Sequence, residues 1–114
     1  MKIRQISELL HATACCGEDL FDEEVYTACG SDMMSDVLAF VKDQAVLLTG
    51  LVNAQVIRTA MMMDMRCVVF VRGKRPTQEM IQLADENRIV LLCSGERMYE
   101  ACGKLYEGML GREG

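Results

Sequence analysis

The chain has 114 residues, 51% of them hydrophobic and 25% charged, the balance of one globular domain with its own core rather than a disordered polymer. Its formal net charge of −5 argues against nucleic acid as a partner, because such binders carry a basic excess. No apolar run reaches the roughly 18 residues needed to cross a bilayer, and Met1 to Gln5 lead into Ser7-Glu8 rather than a signal-peptide stretch, so a cytoplasmic protein with no membrane partner is expected.

Ile3, Ile6, Leu9 and Leu10 recur at helical spacing, which predicts a short amphipathic helix over 2–11. Ala12 to Cys16 is small and apolar and stops at Gly17-Glu-Asp, a brief strand and a turn. Val25 to Cys29 is β-prone and ends at Gly30, predicting a second strand. Ser31-Asp32 then opens a helix carrying Met33, Met34, Val37, Leu38 and Val41, with oxygens suited to capping its free N–H groups.

Three segments then begin alike, about 22 residues apart. Ala45 to Thr49, Cys67 to Val71 and Ile89 to Cys93 are apolar runs, each closed by a nearby glycine and followed by helical spacing. Continuous apolar runs are what strands covered on both faces require. Asn53 and Pro76-Thr77 mark two helix starts, with Val56, Ile57, Ala60, Met63 and then Met80, Ile81, Ala84 facing inward. The last helix has Met98, Ala101, Cys102, Leu105 and Met109 on one face. Repeated β-α units give a mainly parallel sheet in a three-layer α/β domain, with the first helix and short strands appended. The expected domain is 1–110, followed by a flexible tail at 111–114.

Ten methionines and no tryptophan suit adaptable core filling; the alternative is a Met-rich contact surface. The six cysteines include no C-x-x-C pair, and with one histidine a zinc site is not expected. They read as reduced, buried small hydrophobes. No cofactor is expected.

In open parallel sheets the ligand crevice lies beyond the carboxyl ends of the strands. Those ends here are Gly30-Ser31-Asp32, Thr49-Gly50, Arg72-Gly73-Lys74 and Ser94-Gly95, with Asn53 at the following helix start. Glycines and helix N-termini suit a small anion, and ordinary turn chemistry explains the same residues. Residues 58–75 carry Arg58, Arg66, Arg72, Lys74 and Arg75 against one acid, Asp64, a local positive zone in an acidic chain. Ser31-Asp32 and Ser35-Asp36 place two carboxylates four apart, able to share a helical face and to hold Mg²⁺ or to act as caps. No P-loop, G-x-G-x-x-G or G-x-S-x-G run is present.

At Ser31 to Phe40, Leu48 to Asn53, Phe70 to Pro76 and Met98 to Cys102 the chain resembles stand-alone DRTGG-domain proteins and the N-terminal domain of HPr kinase/phosphorylase. The resemblance covers most of 1–110. It implies a small, commonly self-associating α/β domain, of a kind attached to nucleotide-sensing CBS modules in pyrophosphatases. The literal Asp-Arg-Thr-Gly-Gly run is absent, with Thr49-Gly50 and Asn53 nearest to it. The kinase's P-loop domain is missing, so its activity does not carry over.

The expected function is non-enzymatic: binding of a small anionic metabolite or nucleotide, acting through a homodimer or a protein partner. The alternatives are a ligand-free interaction subunit of a metabolic or redox complex and a Mg²⁺-dependent phosphoryl-transfer enzyme using Asp32 and Asp36.

Overall fold

The computed structural model describes residues 1–40 and 44–108. Val41, Met109 and the 111–114 tail of the sequence reading lie outside the described residues. The elements in chain order are α1 (Ile3–Leu9), β1 (Thr13–Cys16), a 3-10 turn (Glu18–Leu20), β2 (Thr27–Gly30), α2 (Met34–Phe40), β3 (Ala45–Thr49), α3 (Ala54–Met62), β4 (Cys67–Phe70), α4 (Gln78–Glu86), β5 (Val90–Cys93) and α5 (Met98–Glu107).

The strands form one sheet in the order β1-β5-β4-β3-β2. The repeated segments make its parallel centre: Val46 pairs with Cys67, and Cys67 with Val90. β2 extends the parallel set and β1 closes the other edge antiparallel to β5. The burial patterns explain the sequence patterns. β3, β4 and β5 are buried at every residue, whereas the edge strand β2 alternates.

Two cores flank the sheet. Ile3, Ile6, Val46, Leu48, Val69, Leu92, Ala101 and Leu105 fill the side under α1 and α5. Val37, Leu47, Val56, Ile57, Val68, Phe70, Met80 and Leu91 fill the side under α2, α3 and α4. The result is a three-layer α/β fold. Among the described residues no helix is long and apolar enough to cross a membrane.

The second strand is displaced from the expected Val25–Cys29. Val25 donates its N–H to the Met1 carbonyl at 2.8 Å, and Lys2 bridges Glu24, so the first residues of the chain take over this end of the segment. Methionine divides between both readings: Met34, Met65 and Met80 are buried, while Met33 is 60% and Met62 73% exposed.

Three helices end alike without glycine. Ala12, Met65 and Ile89 donate their N–H groups to Ser7, Ala60 and Ala84, and His11, Asp64 and Arg88 donate to Glu8, Met61 and Asp85. These paired bonds are Schellman motifs, and their left-handed position is filled by His11 (φ 49), Asp64 (φ 55) and Arg88 (φ 60). A β-carbon there costs about 1–2 kcal/mol. Asp64→Gly is therefore expected to stabilise the fold by about 0.5–1 kcal/mol, the gain offset by glycine's freedom in the unfolded chain. Urea unfolding of the variant checks it; an unchanged or lower midpoint contradicts it.

Candidate functional site at the strand ends

The carboxyl ends of β2, β3 and β4 meet around Asp32. Ser31 continues the ladder, donating its N–H to the Leu48 carbonyl, and its hydroxyl accepts from the Met33 N–H at 2.9 Å. This turn aims the Asp32 carboxylate at the next strand. Oδ1 accepts the Gly50 N–H at 2.7 Å and the Thr49 hydroxyl at 3.0 Å. Oδ2 stands 3.6 Å from Arg72 Nη2.

Asp32 thus lies before α2, turned to β3, and the expected shared face with Asp36 does not form. Asp36 sits inside α2 and its charge acts on Cys29 instead. The carboxylate pair that the Mg²⁺ reading required is therefore absent from the helix. Among the described residues no group of three or more metal-binding side chains occurs.

The Gly50 N–H bond, first, and the Thr49 and Arg72 contacts hold Asp32 below the usual carboxylate range, against a smaller opposing effect of burial. A depressed pKa means that this stabilisation is present above the unfolded value, about 3.9, and is lost as pH falls through the folded value. Asp32→Asn should flatten the acid limb of stability below about pH 4. Urea midpoints across that range test this; parallel curves for variant and wild type contradict it.

Arg72 and Gly73 both have positive φ, 59° and 71°, and the Lys74 N–H returns to the Val71 carbonyl at 3.1 Å. Two left-handed central residues closed by that bond make a type I′ turn, where asparagine, aspartate or glycine is favoured. An arginine there is strained. Its backbone N–H bonds the Glu96 carbonyl at 2.7 Å and the Gly73 N–H bonds the Ser94 carbonyl at 3.0 Å, tying the turn to the end of β5. The Arg72 guanidinium lies across Gly50, where a β-carbon would come within 2.0 Å of Nη2. Glycine at 50 is thus the space that lets Arg72 reach Asp32.

Lys74 and Arg75 follow on the same exposed turn and have no ion-pair partner among the described residues. The positive zone read along residues 58–75 is divided in space. Arg66 stands at the opposite end of β4, 2.7 Å from Glu23, and Arg58 lies on α3. Only Arg72, Lys74 and Arg75 remain at the strand ends.

The other expected positions serve the fold in identifiable ways. Asn53 caps α3, accepting the Gln55 N–H at 3.0 Å. The buried Ser94 hydroxyl donates to the Leu10 carbonyl at 2.7 Å and accepts the Glu96 N–H at 3.1 Å. Ser35 is exposed in α2. Gly95 borders an open depression of about 500 Å³ lined by Leu10, His11, Glu96, Arg97 and Glu100. Glu96, paired with Lys104, is the residue that sequence reasoning missed; it carries no local motif.

A separate cleft of about 680 Å³ lies at the opposite strand ends, between Met61, Met65, Arg66, Arg88 and Ile89. Its arginines are matched by Glu23 at 2.7 Å and Asp19 at 3.1 Å. It therefore offers an anion less unpaired charge than the Arg72 turn.

No family model matches the chain, and no curated protein matches its sequence. It is similar to a solved structure, the CBS and DRTGG domains of the regulatory region of Clostridium perfringens pyrophosphatase, complexed with the activator diadenosine tetraphosphate. The TM-score is 0.72 at 18% identity, over 91% of this chain and 45% of that one. The chain spans less than half of that neighbour's length, and what the two share is the fold. The neighbour bears on the DRTGG side of the resemblance and not on the HPr kinase side.

Proposed function

We propose that this chain is a non-enzymatic DRTGG-type regulatory domain of the cytoplasm that binds a phosphate-bearing nucleotide at the Arg72 turn. The observation that carries the reading is the turn itself. Arg72 holds a left-handed conformation unfavourable to it, and presents its guanidinium beside exposed Lys74 and Arg75. Guanidinium groups match phosphate with paired N–H donors, and Lys74 and Arg75 beside Arg72 have no ion-pair partner among the described residues.

Asp32 supplies the resting counter-charge. An incoming phosphate competes with it for Arg72 and gains Lys74 and Arg75, while the depression beside Gly95 receives the uncharged part of the ligand. Diadenosine tetraphosphate, the activator in the neighbour's complex, combines these two parts and is the first compound to try.

Thermal shift tests the reading. A hundredfold excess over Kd should add about 2.7 kcal/mol of stability and raise Tm. Nucleotide polyphosphates should do this and sulfate should not. No shift with any nucleotide or pyrophosphate overturns the proposal.

Exposure favours a second element, self-association. Met33, Met62 and Tyr99 are 60%, 73% and 86% exposed, and Met33, just before α2, and Met62, in α3, belong to the helical layer on one side of the sheet. We propose a homodimer that covers part of it, or a protein partner that does so. Light scattering should give about twice the 12.8 kDa chain mass; a monodisperse monomer at high concentration contradicts the dimer.

A further inference from the structure

β1 joins the sheet through β5 alone, and that join brings two thiols together. Thr13 pairs with Cys93 and Ala14 with Leu92, but Cys16 pairs with Leu91, so Cys15 is the extra residue of a β-bulge. The bulge sets Cys15 Sγ 2.9 Å from Cys93 Sγ. A disulfide has its sulfurs about 2.05 Å apart, so the gap left to close is less than about 1 Å.

We propose that Cys15 and Cys93 are a redox modification site, forming a reversible internal disulfide by exchange with a low-molecular-weight disulfide of the glutathione class. Access assigns the roles. Cys15 is half-buried and reachable, whereas Cys93 is 8% exposed. Burial and the neighbouring Cys15 thiol push the Cys93 thiol up.

Cys15 gives up its proton to solvent, and its thiolate attacks one sulfur of the external disulfide. A mixed disulfide forms and one external thiolate leaves. Cys93 then loses its proton, attacks the Cys15 sulfur and breaks the mixed bond, releasing the second thiolate. Two protein thiols are oxidised by two electrons, one external disulfide is reduced, and the two protons end on its two thiols. Arg75, whose charge opposes the rise at Cys93, favours the thiolate in the second step.

Cys102 acts electrostatically on the Cys29 thiol, but among the described residues no thiol contact like that of Cys15 and Cys93 joins them. Cys29 packs against the core under α2 to α4, and Cys102 against the core on the other side of the sheet. Cys67 is fully buried and Cys16 points its thiol at the Ile89 carbonyl, 3.4 Å away. Oxidation therefore selects one pair, and the new bond staples the edge strand β1 to the residue before Ser94. This inference stands independently of the nucleotide reading.

The test uses the full chain, oxidised glutathione, alkylation of the remaining thiols and non-reducing peptide mass mapping. The expected result is loss of two hydrogens, two fewer alkylated thiols out of six, a single Cys15–Cys93 link, and reversal by dithiothreitol. Cys93→Ser should instead retain one glutathione on Cys15, and the Cys29→Ser/Cys102→Ser double variant should form the link as wild type does. Six alkylated thiols after oxidation, a link between other cysteines, or a persistent glutathione adduct on wild-type Cys15 overturns the proposal. The wild-type map decides the matter even if Cys93→Ser fails to fold.

Discussion

Phe70→Ala is expected to destabilise the fold by about 3–5 kcal/mol. Phe70 is the largest of the fully buried side chains and belongs to β4, the middle strand of the sheet. It contributes to the core under α2, α3 and α4, so truncation loses transfer free energy and leaves a cavity between sheet and helices. The neighbouring positions on β3 and β5 are backbone-fixed by pairing on both sides, so the space cannot collapse readily. Against a typical total of about 5–15 kcal/mol, this consumes a large share. Urea unfolding measures it; a loss under about 1 kcal/mol would show that the site relaxes and that Phe70 is not a core anchor.

Gly17→Ala is the second large effect, at about 2–5 kcal/mol. Gly17 follows β1 with φ +85°, a left-handed conformation, and an added β-carbon would lie 2.9 Å from both Cα and Cγ2 of Val90. Val90 opens β5 and is paired on β4, so its backbone cannot retreat. Gly73→Ala is the internal control. It shares a positive φ, 71°, but its β-carbon would meet nothing within 4 Å. Only the conformational cost of about 1–2 kcal/mol should appear there. Equal losses in the two variants would contradict the close approach at Val90.

The parallel centre of the sheet was legible because β3, β4 and β5 are buried on both faces, and burial on both faces writes an unbroken apolar run. Helix starts were legible at Asn53 and Thr77, where side-chain oxygens accept the Gln55 and Met80 N–H groups. Helix ends were not, because His11, Asp64 and Arg88 hold positions where glycine is the recognisable signal. Asp32 was legible as a candidate but not in its role. Its partners Thr49 and Gly50 come from the next strand, and no spacing rule links residues across a crossover.

The positive zone failed for a geometric reason. Six residues of extended chain span about 20 Å, so Arg66 and Arg72, neighbours in sequence, stand at opposite ends of the sheet. The Cys15–Cys93 contact was invisible for a related one. It depends on a bulge that shifts register by one residue, and nothing local in Ala14-Cys15-Cys16 announces it.

Calorimetric titration of diadenosine tetraphosphate into the wild-type chain and into Arg72→Ala/Lys74→Ala/Arg75→Ala tests the central claim most directly. The account predicts saturable binding to the wild type and an affinity at least about tenfold weaker, about 1.4 kcal/mol, in the variant. The variant loses the Arg72–Asp32 contact but no core residue, so it should stay folded with a Tm close to the wild type's. Equal affinity in the two proteins, or no binding to a folded wild type, would contradict a nucleotide site at the Arg72 turn.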